Sequence, residues 1–365
     1  MSTESTCHLA GILEIFASNS IFKQYEIMFK DSFKFYKAKW PIPDFSDVLD
    51  FNDNTTKGIV EFGLDVDSIY EAVMPGLKPV YSWKCYEITD RPGLIFIRNP
   101  FTPQGQRYWM TRCVRDYPKR PNVVNLNAKL FPQTVIDDWW SCYQNCSDKD
   151  DKRRMKVAMR WTTLGYHHDW DSKHYSERMK NKFPDDLAQL SEYFSKALRL
   201  GKYSAEAAIV NYYPIGTTLA GHTDHSESDL EAPLFSFSFG QTAIFLIGGT
   251  TKEEKPSALF LRSGDVVVMA KQSRLCYHAV PRVMKANIEN WNEFPIKRDV
   301  PLEPPNPKKL KCDIDLPTTD DWQLDTKLFE NCADENFWSP FRQFVNDSRI
   351  NINVRQVLKE GQESL

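Results

Sequence analysis

The chain has 365 residues, 41% of them hydrophobic, with 23 Phe, 15 Tyr and 10 Trp, which is enough for one large core or two coupled ones. No apolar run approaches the roughly 20 residues of a membrane-spanning helix, so we expect no membrane association. The formal net charge of −3 excludes a uniformly basic nucleic-acid-binding protein, although local clusters of charge count for more than the sum.

The N-terminal residues and the cysteines bear on the compartment. Residues 1–20 include Glu4 and Glu14, lack arginine and have no basic segment before an apolar stretch, so they form no clear signal or transit peptide. The eight cysteines form no C-x-x-C pair, which favours free thiols in a reducing compartment. For Cys142 and Cys146, buried thiols are favoured over a zinc site. We expect an intracellular monomer, and the sequence does not choose between nucleus, cytoplasm and mitochondrion.

Residues 1–85 read as an N-terminal helical extension that packs on the core. Apolar residues from 21 to 40 recur at helical spacing, which predicts an amphipathic helix that Pro41 ends. The alternative for the 21–40 segment is a helix that binds a partner protein.

Residues 86–204 form a mixed helical and strand region. Strands are predicted at 94–98 and 156–163, and helices at 103–117, 133–146 and 184–200. The loop at 164–174 is dense in aromatic and polar groups.

From residue 205 the pattern changes to short β-rich segments with turn residues between them. Seven strands without intervening helices favour a sandwich or jelly roll, at 207–213, 234–239, 243–247, 258–261, 266–270, 275–280 and 350–357. We therefore predict an α+β protein whose double-stranded β-helix core, residues 205–365, is flanked by N-terminal helices. A polar, proline-rich stretch at about 284–320 is predicted to be a surface insertion.

Two clusters of basic residues stand out. Each fits either a solvated helix face or a set of phosphate contacts. One lies at 107–120 (Arg107, Arg112, Arg115, Lys119, Arg120) and the other at 149–160 (Lys149, Lys152, Arg153, Arg154, Lys156, Arg160).

The H-T-D sequence at His222 and Asp224, with the more distant His278, is a candidate metal site. Side chains at i and i+2 of a strand share one face. Two imidazoles and one carboxylate on one face leave three open positions, which suits non-haem Fe(II) with a chelating co-substrate and O₂. The alternative for His222 and Asp224 is an ordinary surface turn.

The last predicted strand strengthens this interpretation. Alternation places Arg349, Asn351, Asn353 and Arg355 on one face. Arginines on the inner face of a β-core are costly unless they meet anions, and a dicarboxylate bound beside a metal provides two. Asn211 and Tyr213, also i and i+2 on a strand, could hydrogen-bond the same ligand.

Several segments, in the same order along the chain, resemble the AlkB-type Fe(II)/2-oxoglutarate dioxygenases, and most closely an animal branch of that family. The main ones are RPGLIFIRNPF (91–101), RWTTLGYHHDWDSKHYS (160–176), AEAAIVNYYPIGTTLAGHTDHSE (205–227), SRLCYHAVPRV (273–283) and RININVRQVL (349–358).

The resemblance implies Fe(II) bound by His222, Asp224 and His278, with 2-oxoglutarate and O₂ as co-substrates. It also implies that Arg349, helped by Tyr213, pairs with the distal carboxylate of 2-oxoglutarate. Asn211, Asn351 and Arg355 would complete that site or its border with the substrate; for Arg355 and Asn351 a structural role is the alternative.

The resemblance further implies that the substrate is a methylated nucleobase taken out of its stack. Residues 86–204 would then hold the nucleotide-recognition lid, and the basic clusters at 107–120 and 149–160 would contact phosphates of tRNA or unpaired DNA. The predicted base contacts are Tyr166, His167, His168 and Trp170 in the lid, and one of Trp139 and Trp140. The alternative for the lid is a loop pinned by its own aromatic residues.

Family members oxidise the methyl group, convert 2-oxoglutarate to succinate and CO₂, and release formaldehyde. The resemblance suggests 1-methyladenosine and 5-methylcytosine in tRNA, or N6-methyladenine in DNA. Two other classes remain open: a protein-directed oxygenase such as a histone demethylase, and a catalytically silent binding module.

Overall fold

The computed structural model describes residues 28–53, 58–64, 73–293 and 322–365. The helices are 28–37 (α1), Pro103–Thr111 (α2), Gln133–Asp137 (α3), Trp139–Asn145 (α4), Lys149–Ala158 (α5), Asp185–Ala197 (α6), Thr326–Asn331 (α7) and Glu335–Val345 (α8). A π-helical turn at Arg112–Asp116 extends α2. Within these ranges no helix has the length and apolarity needed to cross a membrane.

The strands are Ile59–Glu61 (β1), Lys84–Ile88 (β2), Arg91–Arg98 (β3), Val123–Val124 (β4), Trp161–Gly165 (β5), Ala207–Pro214 (β6), Leu219–His222 (β7), Leu234–Gly240 (β8), Thr242–Ile247 (β9), Ser257–Leu261 (β10), Val266–Met269 (β11), His278–Met284 (β12) and Ser348–Arg355 (β13). They form a nine-stranded sheet in the order β1-β2-β3-β11-β8-β13-β6-β5-β4 and a four-stranded sheet in the order β10-β9-β12-β7. Each sheet takes four of the last eight strands, which is a jelly roll. The predicted fold class is confirmed.

The alternation along β13 separates two interiors. Ile350, Ile352 and Val354 point into the larger hydrophobic core, which lies between the nine-stranded sheet and the helices. Arg349 and Arg355 take the opposite face, and both are buried. A smaller core of apolar residues from both sheets fills the space between them.

Helix α1 packs on the outer face of the four-stranded sheet, where Phe29 and Tyr36 join a third core with Ile244 and Leu246. Its amphipathic spacing is explained by this contact. The part of the predicted helix before residue 28 lies outside the described residues.

Two predicted elements need correction. The helix expected at 133–146 is divided at Asp138, whose side chain accepts a hydrogen bond from the backbone N–H of Ser141 and caps α4. The strand expected at 156–163 begins only at Trp161, because 149–158 is helical and capped by Asp148. Strands β1, β2, β4 and β7 and helices α5, α7 and α8 were not predicted.

The nine-stranded sheet takes strands from all three predicted segments, 1–85, 86–204 and 205–365. Most of the proposed insertion at 284–320 falls outside the described residues. The six cysteines of the described ranges are free thiols.

Candidate active site

The two predicted metal-binding histidines are brought together by strand pairing. His222 ends β7 and His278 begins β12. The two residues are direct partners in the sheet, and the centroids of their rings are 4.3 Å apart. Asp224 lies two residues beyond the end of β7, in a loop and not on the strand face expected from the H-x-D spacing. One ligand atom from each of the three side chains lies within 4.8 Å of the others.

Backbone carbonyls orient both imidazoles. Nδ1 of His222 lies 2.9 Å from the carbonyl oxygen of Ala220, and Nδ1 of His278 lies 3.1 Å from that of Cys276. Each ring can therefore donate its Nδ1–H outward and leave Nε2 as the metal ligand. The two Nε2 atoms lie 3.9 and 3.8 Å from the carboxylate oxygens of Asp224.

The charges around the triad favour the metal-binding protonation states. Burial alone would raise the pKa of Asp224, but Arg355 and the two histidines hold it well below its usual range. Burial lowers the pKa of His278 to about 4. These two ligands are therefore unprotonated near neutral pH, as metal coordination requires.

Arg349 is buried and only partly hydrogen-bonded. Its Nη2 donates to the hydroxyl of Ser238 at 2.9 Å, and its guanidinium lies over the ring of Tyr213, 5.3 Å from the centroid. Its Nε and Nη1 have no hydrogen-bond partner among the described residues. Burial lowers the pKa of Arg349 to about 10. A buried cation with two free donors is matched by an incoming carboxylate.

Asn351 and Asn211 lie side by side on paired strands, on the face that carries Arg349. The amide of Asn351 donates to the hydroxyl of Ser236 and the carbonyl oxygen of Phe237. Asn211 lines the main cavity. Asn351 is buried and does not line this cavity.

Arg355 has a different environment from Arg349. Its Nη2 donates to Asp224 at 2.8 Å, and its Nε lies 3.1 Å from a carboxylate oxygen of Glu227. Glu227 also accepts a hydrogen bond from the hydroxyl of Tyr175. Arg355 is thus held by two carboxylates of the chain, one of which belongs to the candidate metal triad.

The donor set fits Fe(II) and 2-oxoglutarate. Two imidazoles and one carboxylate leave open positions on an iron ion, and the two free donors of Arg349 can receive the carboxylate of a dicarboxylic acid. Among the described residues this triad is the one group of three such side chains close enough to hold a metal.

A cavity of about 390 Å³ opens beside the triad. Its lining includes His222 and Asp224 of the triad and the aromatic residues His168, Trp170 and Tyr175. Trp170 is 49% exposed, and the centroid of its ring lies 4.7 Å from that of His168. Nδ1 of His168 is buried without a hydrogen-bond partner in the described structure. His225, left out of the metal shell by the sequence argument, lines the same cavity.

Other predicted base contacts lie elsewhere. Tyr166 is buried, and its hydroxyl donates to Glu177 and accepts from Lys180. His167 is buried between the hydroxyl of Thr163 and the amide of Asn181.

Trp139 and Trp140 are both in the larger hydrophobic core, packed around Phe344. In this structure none of Tyr166, His167, Trp139 and Trp140 lines the cavity, because their hydrogen bonds and packing are satisfied inside the protein.

All five cations of the 107–120 cluster form ion pairs with carboxylates of the chain. Arg107 is fully buried against Glu335. The other four pair with aspartates: Arg112 with Asp186, Arg115 with Asp116, Lys119 with Asp138 and Arg120 with Asp137. In the second cluster Lys156 is largely buried against Asp347, whereas Lys149, Arg153 and Arg154 are exposed on α5.

Three residues of this region were not predicted. Glu227 and Arg274 are buried in the ion-pair network behind Asp224. Trp161 pairs with Asn211 between β5 and β6, and its ring lies 5.2 Å from that of Trp170. Glu227 and Arg274 both lie in segments that resemble the family, 205–227 and 273–283, but neither segment by itself indicates an ion pair between them.

A model of the 2OG-Fe(II) oxygenase superfamily matches residues 93–355, and the chain belongs to that superfamily of iron- and 2-oxoglutarate-dependent dioxygenases. The resemblance to AlkB-type enzymes is also confirmed. The nucleic acid dioxygenase ALKBH1 of Mus musculus is 39% identical over 355 residues, which cover 93% of this chain and 86% of that protein.

The names of two further relatives specify the kind of nucleic acid, DNA for one and tRNA for the other. The DNA N(6)-methyladenine demethylase ALKBH1A of Arabidopsis thaliana is 30% identical over 92% of this chain and 94% of its own length. The tRNA demethylase abh1 of Schizosaccharomyces pombe is 34% identical over 68% of this chain and 82% of its own length.

Proposed function

We propose that this dioxygenase removes or oxidises methyl groups on nucleobases in nucleic acid, with 1-methyladenosine or 5-methylcytosine in tRNA and N6-methyladenine in unpaired DNA as the substrates to test. The main supporting observation is the cavity that His222 and Asp224 of the metal triad line together with His168 and Trp170. Its volume lies within the range of about 300–1,000 Å³ that is usual for small-molecule sites. The relatives that act on DNA and tRNA support this substrate class.

Different residues of the site bind the metal, the co-substrate and the base. His222, Asp224 and His278 hold Fe(II), and Arg349 and Tyr213 hold 2-oxoglutarate. Bound together with O₂, iron and 2-oxoglutarate supply the oxidising power. His168 and Trp170 provide the aromatic wall against which a base flipped out of its stack can lie, and the half-buried Trp161 extends this wall on β5.

The exposed cations of α5 are the proposed phosphate contacts. Helix α5 ends at Ala158, three residues before Trp161 begins β5, so the basic helix leads directly into the aromatic wall. Lys149, Arg153 and Arg154 would contribute affinity and register, not base identity. A peptide-binding groove has no need of a basic helix next to an aromatic wall, so this arrangement favours nucleic acid over the protein-directed alternative.

The test is an incubation with Fe(II), 2-oxoglutarate and oligonucleotides that carry each modified base, beside methylated histone peptides. Succinate, formaldehyde and modified nucleosides are quantified by mass spectrometry. We expect loss of a methylated or gain of an oxidised nucleoside, and none with Asp224→Ala. Turnover of the peptides alone would refute the proposed substrate class.

The aromatic wall is tested separately. Trp170→Ala should raise the KM for the oligonucleotide by roughly tenfold, since stacking on an aromatic residue contributes about 1–3 kcal/mol per base. The KM for 2-oxoglutarate should stay unchanged. Trp140→Ala, in the core, is the control: it should lower thermal stability without this selective change in KM.

A further inference from the structure

Arg274 is a buried arginine without a role in the iron or 2-oxoglutarate sites described above. It lies in the 3-10 turn Lys271–Leu275, just before the strand that begins with His278. Only 2% of Arg274 is exposed, and three of its nitrogens contact three different acceptors. These are the carbonyl oxygen of Ala232 at 3.0 Å, the carbonyl oxygen of Asp224 at 2.8 Å and a carboxylate oxygen of Glu227 at 3.0 Å.

The contact with Asp224 is the informative one. Arg355 holds the side chain of this iron ligand, and Arg274 holds its backbone carbonyl. Both guanidinium groups meet on Glu227, each at a different carboxylate oxygen. Two cations and two carboxylates therefore form one connected network, in which each cation contacts at least one carboxylate.

Asp224 needs this support because of its position in the chain. It lies beyond the end of β7, so the sheet hydrogen bonds that position His222 and His278 do not reach it. Arg274 connects the loop that carries Asp224 to the turn that precedes His278. It thereby couples the position of the carboxylate ligand to that of the second histidine.

We propose that Arg274 is a positioning residue of the metal centre: it fixes the backbone at Asp224 and so sets the placement of the carboxylate ligand. The planar fork of arginine can reach three separate acceptors, whereas the ammonium group of lysine acts as a point charge on a flexible stem. Arg274→Lys keeps the charge and loses this geometry. The inference concerns the metal site and holds for any substrate.

The chain offers a matched control in Arg107. Its side chain is also fully buried and also contacts two carbonyl oxygens, those of Trp291 and Cys332, and one glutamate, Glu335. Arg107 lies in the helical part of the protein and contacts no metal ligand. Arg107→Lys therefore measures how far the loss of such contacts lowers the thermal stability when no metal ligand is involved.

The experiment titrates Co(II) into the metal-free full-length protein and its two lysine variants, followed by visible absorption, with thermal unfolding measured in parallel. Both variants should unfold at a lower temperature. Only Arg274→Lys should bind Co(II) more weakly, by roughly 10–100-fold as for other partners that orient metal ligands, and with an altered ligand-field spectrum.

Wild-type Co(II) affinity and spectrum in a folded Arg274→Lys variant would overturn the proposal, since Arg274 would then be purely structural. If that variant does not fold, Arg274→Gln is titrated with and without added methylguanidinium. Recovery of Co(II) affinity on addition would support the positioning role. Folded protein that binds Co(II) normally without methylguanidinium would exclude it.

Discussion

The two ends of strand β13 carry the same residue type in opposite environments. Arg349 and Arg355 share one face of the strand and are equally buried. Arg355 contacts two carboxylates of the chain, whereas Arg349 keeps two donors without a partner in the described structure. Burial lowers the pKa of Arg349 to about 10; for Arg355 burial acts in the same direction, but Asp224 and the other acidic groups raise the pKa above its usual range.

This difference separates two uses of a buried cation. At Arg355 the charge is compensated when the protein folds, so the residue stabilises the folded site. At Arg349 compensation is incomplete until an anion binds, so part of the favourable electrostatic energy is left for an anion, which we propose to be 2-oxoglutarate. Four predictions test this contrast.

The largest effect is expected from Arg355→Gln. It leaves Asp224 and Glu227 with one cation fewer, and the loss of one partner of a buried ion pair costs about 3–5 kcal/mol. The free energy of unfolding of the metal-free protein, measured by urea denaturation, should fall by this amount. A variant as stable as the wild type would contradict the structural role of Arg355.

Arg349→Gln should affect the binding of 2-oxoglutarate more than the stability of the protein. Stability should change little, since the guanidinium lacks a carboxylate partner in the described structure. Affinity for 2-oxoglutarate should fall by about 100-fold, since loss of one partner of a buried charge pair costs about 2–5 kcal/mol of binding. Calorimetric titration of the Co(II)-loaded protein with 2-oxoglutarate gives the affinity. Unchanged binding would show that the co-substrate lies elsewhere.

The third prediction uses the protonation of His278 in the metal-free protein. Its pKa is lowered to about 4, first by burial and in part by charges that include Arg355. The unfolded chain therefore takes up this proton first, so the contribution of His278 to stability is present above about pH 6.5 and is lost as the pH falls towards 4.

NMR titration of the imidazole signals tests the same contrast in charge. The pKa of His278 should rise in Arg355→Gln, since one nearby positive charge is gone. It should remain near 4 in Arg349→Gln, which serves as the control. Equal shifts in the two variants would mean that the two arginines do not differ in their coupling to the triad.

The smallest effect is expected at Tyr213. Tyr213→Phe keeps the ring under Arg349 and removes the hydroxyl, and one hydrogen bond contributes about 0.5–1.5 kcal/mol. The KM for 2-oxoglutarate should rise by roughly threefold to tenfold while kcat is retained. A loss as large as that of Arg349→Gln would instead indicate that the ring orientation depends on the hydroxyl.

The sequence by itself determined the class of fold, the candidate donor set for iron and the face that carries both arginines. These follow from local rules: turn residues separate short β-rich segments, ligand chemistry depends on residue type, and side chains alternate along a strand. The sequence alone therefore predicted His222, Asp224, His278 and Arg349 as site residues, without knowledge of any contact.

The tertiary structure alone decided the partner of each residue. Glu227 contacts both Arg274 and Arg355 only because a loop, a 3-10 turn and the last strand come together in the fold. Trp170 faces the cavity while Trp139 is buried in the core, although both are tryptophans in aromatic-rich segments. Periodicity determines the face of an element, but long-range packing determines which group lies opposite, and that contact decides whether a buried charge supports the fold or binds a ligand.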